Sequence, residues 1–413
     1  MSVNQTISLE QYGRQTARVS SVNRIRILTL VGTIIAQFAL GSVYTWSLFN
    51  AGLADKLNIP VDNVAFSFGI LSLSLAVASS ISGKLQERFG VTRVTIAAGV
   101  MMGAALLLTS HTSNTAMLYL CAGFLLGFAD GTGYLMTMSN CVRWFPERKG
   151  TISALAIGAY GLGSLGFKYI NLALLEHSGL SQTFVFWGVI AAALVIVGGL
   201  LMTDAPMQSS NSTQTNSDND FSLRQAMSRP QFWMLAVIFL TVCMSGLYVI
   251  GVAKDIGEQY ANLSFAIAAN AVAVIAMANL GGRLMLGVLS DKIARIRVVS
   301  IALLASIAGI GLLLFTEMTM TNFYIALGCI AFSFGGTITV YPSLVSDFFG
   351  LNNLTKNYGA IYLGFGIGSL LGSLIAAAFG GFAATFYVIL GLLVLSLLMS
   401  LTVKTPQLHT QAA

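Results

Sequence analysis

The chain has 413 residues, of which 56% are hydrophobic and only 9% charged. No water-facing globular surface carries that balance, so a soluble fold is excluded and most of the chain is expected to meet lipid. The net charge of +6 comes from basic residues scattered over short turns without an aromatic-basic patch, which argues for membrane orientation and against nucleic-acid binding.

An open sheet leaves edge groups unpaired in hydrocarbon, and the apolar runs are far longer than the ~10 residues of a barrel strand, so the spanning elements are predicted to be helices. In chain order, runs near the ~20 residues that cross a bilayer fall at 27–50, 63–84, 94–110, 116–142, 151–175, 182–203, 231–253, 264–289, 298–316, 320–346, 357–379 and 382–403. Twelve spans make this an all-α membrane protein. The first span follows a polar tail, 1–26, is longer than a signal-peptide core and lacks a small-residue cleavage site, so it is expected to remain as a span. Residues 204–230 are the long polar interior stretch and read as a linker between a six-helix bundle, 27–203, and a second, 231–403; 404–413 is a C-terminal tail. With both tails cytoplasmic, the tails, linker and alternate turns near 84–93, 143–149, 290–297 and 347–356 hold nearly every Lys and Arg outside the spans; only Lys56 and Lys254 lie on the other side. That asymmetry is the positive-inside rule.

The halves also repeat. Residues 83–93 (GKLQERFGVTR) follow the second span and 287–297 (GVLSDKIARIR) follow the eighth, with glycine, leucine, acid, base and final arginine in register. A second echo pairs Gly161-Leu162-Gly163-Ser164-Leu165 in the fifth span with Gly366-Ile367-Gly368-Ser369-Leu370 in the eleventh. Two like-oriented repeats are the build of a two-bundle secondary transporter.

The repeated loop resembles the signature loop of the major facilitator superfamily, and the resemblance covers the whole length. It implies a pseudo-symmetric pair of six-helix bundles and a gate-latch role for Gly83, Glu87, Arg88, Gly90 and Arg93, and for Gly287, Asp291, Lys292 and Arg297. More narrowly, Tyr44-Thr45-Trp46-Ser47-Leu48, Arg143-Trp144-Phe145-Pro146-Glu147-Arg148-Lys149-Gly150, Tyr160-Gly161-Leu162-Gly163, Arg229-Pro230-Gln231-Phe232-Trp233 and Asn357-Tyr358-Gly359 look like the oxalate/formate antiporter branch, and within it most like bacterial monocarboxylate carriers.

Three ionisable acids or bases lie well inside predicted spans: Asp130, Lys168 and Arg283. A charge there costs on the order of 2.5–3.5 kcal/mol by insertion scales, so each is a functional candidate. Arg283 offers the planar fork that grips a carboxylate, and Asn279, one helical turn earlier, shares its face; the alternative is an arginine that snorkels to the headgroups. The branch resemblance also makes Arg283 the carboxylate-binding arginine. Asp130 and Lys168 fall on adjacent antiparallel spans at depths of ~20 and ~27 Å, and read as a structural ion pair, a proton-coupling site, or a second substrate cation from Lys168. Tyr44, Tyr134, Tyr160, Phe334 and Tyr362 match the branch's binding cage, although each alone reads equally as packing. One departure bears on the substrate: where the dicarboxylate antiporter pattern has a lysine in the eleventh span, this chain has Phe365. A single cation favours a monocarboxylate such as pyruvate, lactate or formate over an oxalate-like dianion, unless Lys168 supplies the second charge.

Gly364, Gly368 and Gly372 form a small-residue stripe in the eleventh span, as Gly158, Gly161, Gly163 and Gly166 do in the fifth, and Pro342 is expected to kink the tenth. Cys121, Cys141, Cys243 and Cys329 lie singly in spans, and His111, His177 and His409 in loops or tail, so no metal site is expected. No nucleophile–base pattern and no Walker motif occurs, which argues against an enzyme, a cofactor or an ATP-driven pump. The expectation is therefore a monomeric carrier in a bacterial inner membrane, moving a small organic anion with or without a proton. A drug exporter of the same superfamily and a membrane carboxylate sensor are the alternatives.

Overall fold

The computed structural model describes residues 3–145, 149–205, 221–350, 353–379 and 381–406. Pro146, Glu147 and Arg148, most of the linker and the end of the C-terminal tail lie outside the described residues. α1 (Val3–Leu40) tightens into a 3-10 stretch, Gly41–Leu48, and passes through α2 (Asn50–Leu57) to α3 (Val61–Phe89) and α4 (Val91–Ser110). No proline interrupts residues 3–40, and the polar N-terminal segment is helical from Val3, continuous with the first span. The short α5 (Thr115–Leu118) leads through a π-helical stretch, Tyr119–Leu125, into α6 (Leu126–Trp144).

α7 (Lys149–Leu201) has 53 residues, which at 1.5 Å each is about 80 Å, more than twice the bilayer's hydrocarbon core. It is broken at Gly179, where φ 73 and ψ 174 are open only to a residue without Cβ. Its ends return to one face: Trp144 Nε1, just before α7, donates to the carbonyl of Thr203, just after it, at 2.9 Å. α7 is thus a hairpin of two arms, and the eleven helices among the described residues that are long and apolar enough to cross a membrane correspond to the twelve predicted crossings.

In the second half, α8 (Leu223–Met227) starts with a capping box between Ser222 and Gln225. α9 (Pro230–Asp255) takes Pro230 into its first turn and ends in a π turn, Ile256–Tyr260. α10 (Phe265–Ser290), α11 (Arg295–Phe315), α12 (Met320–Phe349), α13 (Leu354–Phe379) and α14 (Phe382–Thr402) complete the chain. The first bundle comprises α1, α3, α4, α6 and both arms of α7; the second comprises α9 to α14. They meet where α3 packs on α13 and the first arm of α7 on α10, with Gly41–Leu48 leaning on α9. α3 and α13 run antiparallel: a Cβ on Gly69 would meet Leu370 at 3.1 Å and one on Gly366 would meet Leu73 at 2.4 Å. Both tails, the linker ends and the repeated loops therefore share one face, here the tail face; its opposite is the loop face.

The bundles are pinned unevenly. Among the described residues three hydrogen bonds cross between them, all toward the loop face. Asn50 Nδ2 donates to the carbonyl of Gly251 at 2.8 Å and to Asp255 Oδ2 at 2.7 Å, and Lys168 Nζ donates to Asn270 Oδ1 at 2.6 Å.

Close backbone contact within the first bundle depends on glycines that admit no Cβ. On Gly163 it would lie 1.9 Å from the carbonyl oxygen of Phe38, and on Gly41 1.8 Å from that of Tyr160. The stripe of Gly364, Gly368 and Gly372 packs on α9 at Leu240, Met244 and Tyr248, whereas Gly161 meets nothing within 4 Å. Gly163→Ala is expected to cost about 3 kcal/mol or more by forcing α1 and α7 apart, while Gly161→Ala, two residues away, leaves the melting temperature unchanged or slightly raised. Thermal unfolding of the two purified variants in detergent checks the difference.

Candidate functional site

Arg283 sits seven residues before the end of α10 and does not snorkel out of the protein: it is 6% exposed. Its Nε donates to Asn279 Oδ1 at 2.7 Å, the one-turn partner expected from the helical repeat. Its Nη1 is buried without an acceptor. The ion pairs among the described residues, Lys254 with Glu258 and Arg295 with Asp347, lie elsewhere. A buried guanidinium without an opposite charge beside it is costly unless something offsets its desolvation.

Arg283 opens onto a cavity between the bundles. Tyr44, Leu75, Tyr134 and Tyr160 line it from the first bundle; Arg283, Ile338, Tyr362 and Phe365 line it from the second. Its volume is about 10 Å³, room for roughly one water, so any larger guest enters only as the rings and bundles move apart. The first-bundle wall centres on Tyr160, whose ring meets Tyr44 edge-on at 5.3 Å and Tyr134 at 5.0 Å. Glycine places that wall, since Gly41 lets the 3-10 stretch bearing Tyr44 settle against the backbone of Tyr160. On the other side Tyr362 stacks on Phe365 at 5.3 Å and 17°.

Four of the five cage aromatics therefore come together. Phe334 does not reach the cavity: it is fully buried behind Phe365 at 6.1 Å, and its ring fills a notch where a Cβ on Gly246 would come within 2.5 Å. Leu75, Ile338 and Phe365 were absent from the expected cage. Helical spacing carries a signal for one of them, because Phe365 is three residues on from Tyr362.

The expected pair of Asp130 and Lys168 is not formed. Asp130 is fully buried, its Oδ2 accepts from the Tyr160 hydroxyl at 2.9 Å, and its Oδ1 has no partner. Lys168 lies eight residues beyond Tyr160 on the same arm, about 12 Å nearer the loop face. There it donates to Asn270 across the bundle boundary and touches the Tyr169 ring. Their depths differ by about 7 Å at 1.5 Å per residue, and each side chain points to a different neighbour. Nor does Lys168 line the cavity, so it adds no second cation to this arrangement.

The loop residues also differ from expectation in detail. Glu87, Arg88, Asp291, Lys292 and Arg297 are exposed, and none forms an ion pair among the described residues. The buried contact in the first loop belongs to Gln86, one residue before Glu87 and about 100° round the helix. Gln86 donates to Asn140 and to Asp204 and accepts from Arg143. Gly90, φ 82, ends α3, and the Asp204 carboxylate, at the start of the linker, accepts the first amide of α4 from Val91 at 3.0 Å. In the second loop the ion pair is Arg295 with Asp347. A Cβ on Gly83 would find open space, and one on Gly287 would meet the Thr339 methyl at 3.4 Å.

Comparison with known proteins bears on the family and the fold. The sequence matches the family model of the Major Facilitator Superfamily over residues 29–352 and 258–413. It is 62% identical, over 85% of this chain and 87% of the relative, to an uncharacterized MFS-type transporter, YhjX, of Escherichia coli (strain K12). It is 26% identical to the oxalate:formate antiporter of Oxalobacter formigenes over 89% of this chain and 87% of that one. The crystal structure of a D-xylose-proton symporter shares the fold, with a TM-score of 0.69 at 13% identity over 92% of this chain and 97% of that chain. A family match over most of the length, on a two-bundle fold of twelve crossings, makes this chain a member of the major facilitator superfamily, a multi-pass membrane transporter and not an enzyme.

Proposed function

We propose that the chain is a secondary active transporter of a small monocarboxylate of the pyruvate, lactate or formate type, working by alternating access. The observation that carries this reading is Arg283 itself, which lines a cavity walled by both bundles while its Nη1 is buried without an acceptor. A carboxylate offers the acceptor that Nη1 lacks, and a guanidinium receives it through parallel, charge-assisted hydrogen bonds. Asn279 holds the fork by its Nε, and the hydroxyls of Tyr44, Tyr134 and Tyr362 stand ready as further donors. The small, ring-lined volume suits a compact anion that sheds its water and disfavours the bulky apolar cargo of a drug exporter. With one cation on its wall, the cavity neutralises one carboxylate.

The oxalate:formate antiporter's name supports carboxylates as the substrate class. A single chain completes the site, which suits a monomer. The loop-face hydrogen bonds would break, and contacts at the tail face form, as the bundles rock about the cavity. The loops at 83–93 and 287–297 serve as tail-face latches, through Gln86 and Asp204 in one and Arg295 with Asp347 in the other. The positive-inside pattern orients the tail face to the cytoplasm of a bacterial inner membrane. Without a nucleotide motif, the driving force is a proton gradient or exchange for a second anion.

Counterflow of labelled pyruvate in proteoliposomes tests the reading. Arg283→Lys and Arg283→Gln are expected to lower it at least about a hundredfold, since losing one partner of a buried charge pair costs about 3 kcal/mol. A drug exporter of the same fold would tolerate both substitutions. In the same assay pyruvate is expected to outcompete oxalate; preferred uptake of oxalate would contradict the single-cation argument.

A further inference from the structure

The route from α1 into α2 is wound unusually. Gly41–Leu48 is a 3-10 helix of eight residues, all of them buried, about twice as long as such runs ordinarily reach. Both of its ends are fastened. Toward the tail face Gly41 lies against the backbone of Tyr160, Ser42 Oγ accepts from Trp187 Nε1 at 2.8 Å, and Thr45 Oγ1 accepts from Asn171 Nδ2 at 3.0 Å. Toward the loop face Asn50, two residues past the stretch, donates across the bundle boundary to the carbonyl of Gly251 and to Asp255 Oδ2.

The winding decides what the stretch can reach. Tyr44 lines the cavity shared with the second bundle, and Asn50, six residues on, meets α9 of that same bundle. Steps of about 120° in a 3-10 helix bring Tyr44, Ser47 and Asn50 into one line, whereas steps of about 100° in an α-helix turn Tyr44 and Asn50 about 120° apart. An α-wound chain could therefore face one of them to the second bundle, but not both. Ser47, between them, is fully buried and its Oγ has no partner among the described residues, which leaves the winding to the end contacts. Two further features meet at the Asn50 contact. α9 departs from helical angles at Val252, φ -127 and ψ 20, one residue past the carbonyl that Asn50 holds. The ring of Phe68, from α3, fills the notch where a Cβ on Gly251 would come within 2.6 Å, and it meets the Tyr44 ring edge-on at 6.3 Å.

We propose that Asn50 is a positioning residue for the anion cavity: its bonds to α9 keep Gly41–Leu48 in the 3-10 winding and thereby hold Tyr44 in the wall that Arg283 also lines. When those bonds break as the loop face parts, the stretch relaxes toward α winding and the Tyr44 side chain turns out of the wall. The loop-face contact and one wall of the site open in a single motion, so the anion is freed toward the side that opens. This rests on the carboxylate reading and adds to it a residue outside the cavity, about 12 Å along the stretch from Tyr44.

Titration calorimetry with pyruvate, read as a double-mutant cycle, tests this. Tyr44→Phe removes a hydroxyl that donates to the anion and Asn50→Ala releases the stretch; each is expected to weaken binding about tenfold. Residues this far apart without a shared partner act independently, so a merely structural Asn50 would leave the double variant about a hundredfold weaker than wild type. The proposal expects about a tenfold loss in the double variant as well, because both changes remove the same Tyr44 contact. Asp255→Asn, which keeps an oxygen to accept from Asn50, is expected to stay within about threefold of wild type. Additive losses, or wild-type affinity in Asn50→Ala, would overturn the proposal. Should Asn50→Ala not fold, Asn50→Ser, whose hydroxyl is one bond short of the amide, takes its place in the cycle with the same outcomes. If wild type binds no short carboxylate, the carboxylate reading falls and the positioning is read without a ligand. A Ser47→Cys thiol is then expected to react with a maleimide about tenfold faster when Asn50→Ala is added, and equal rates overturn the proposal.

Discussion

A guanidinium taken out of water is unfavourable unless its hydrogen-bonding groups are met, and at the centre of this molecule Arg283 is buried with Nη1 unpartnered. Arg283 keeps its charge within the second bundle because Asn279 holds Nε and because the cavity before it is shared with the first bundle. Neither bundle alone closes the box. In the proposed reading, a carboxylate bound there would offset the cost of the uncompensated charge at the interface that both halves build.

What makes that interface movable is its uneven fastening. Glycine-mediated backbone contacts hold each bundle tightly, as at Gly163 and Gly41 in the first and Gly282 and Gly335 in the second, so the halves behave as bodies. Between them, the described hydrogen bonds are confined to the loop face, at Asn50 and Lys168. A few bonds near one face can exchange for others near the opposite face without disturbing either interior. Phe334 and Phe365 show the same division on a smaller scale, one ring locked in its bundle's core and the other standing at the boundary.

Much of the fold was legible from apolar run length, and the twelve crossings fell where predicted even though α7 is helical on both sides of its break at Gly179. Local relations were legible too: Asn279 and Arg283 are one turn apart, and a helix fixes what lies one turn away. Relations between helices were not. Counting residues from a turn gives the height of a side chain but not its direction, so Asp130 and Lys168 looked like partners while Tyr160 and Asn270 were the groups they reached. For the same reason the sequence pattern points to the acid of the first loop, Glu87, while the buried contacts are made by Gln86 and by Asp204, the linker's first residue, which caps α4. Phe365 was visible as a departure from a pattern, and only the assembled interface shows it as part of the wall.

The central claim is that a small carboxylate binds because it completes Arg283, a statement about affinity that precedes any transport cycle. Titration calorimetry of purified protein with pyruvate, lactate, formate and oxalate, for wild type and Arg283→Gln, addresses it directly. The account predicts saturable one-to-one binding of a monocarboxylate to wild type and none measurable to the variant while its fold and melting transition persist. Equal affinity in the two proteins would contradict it.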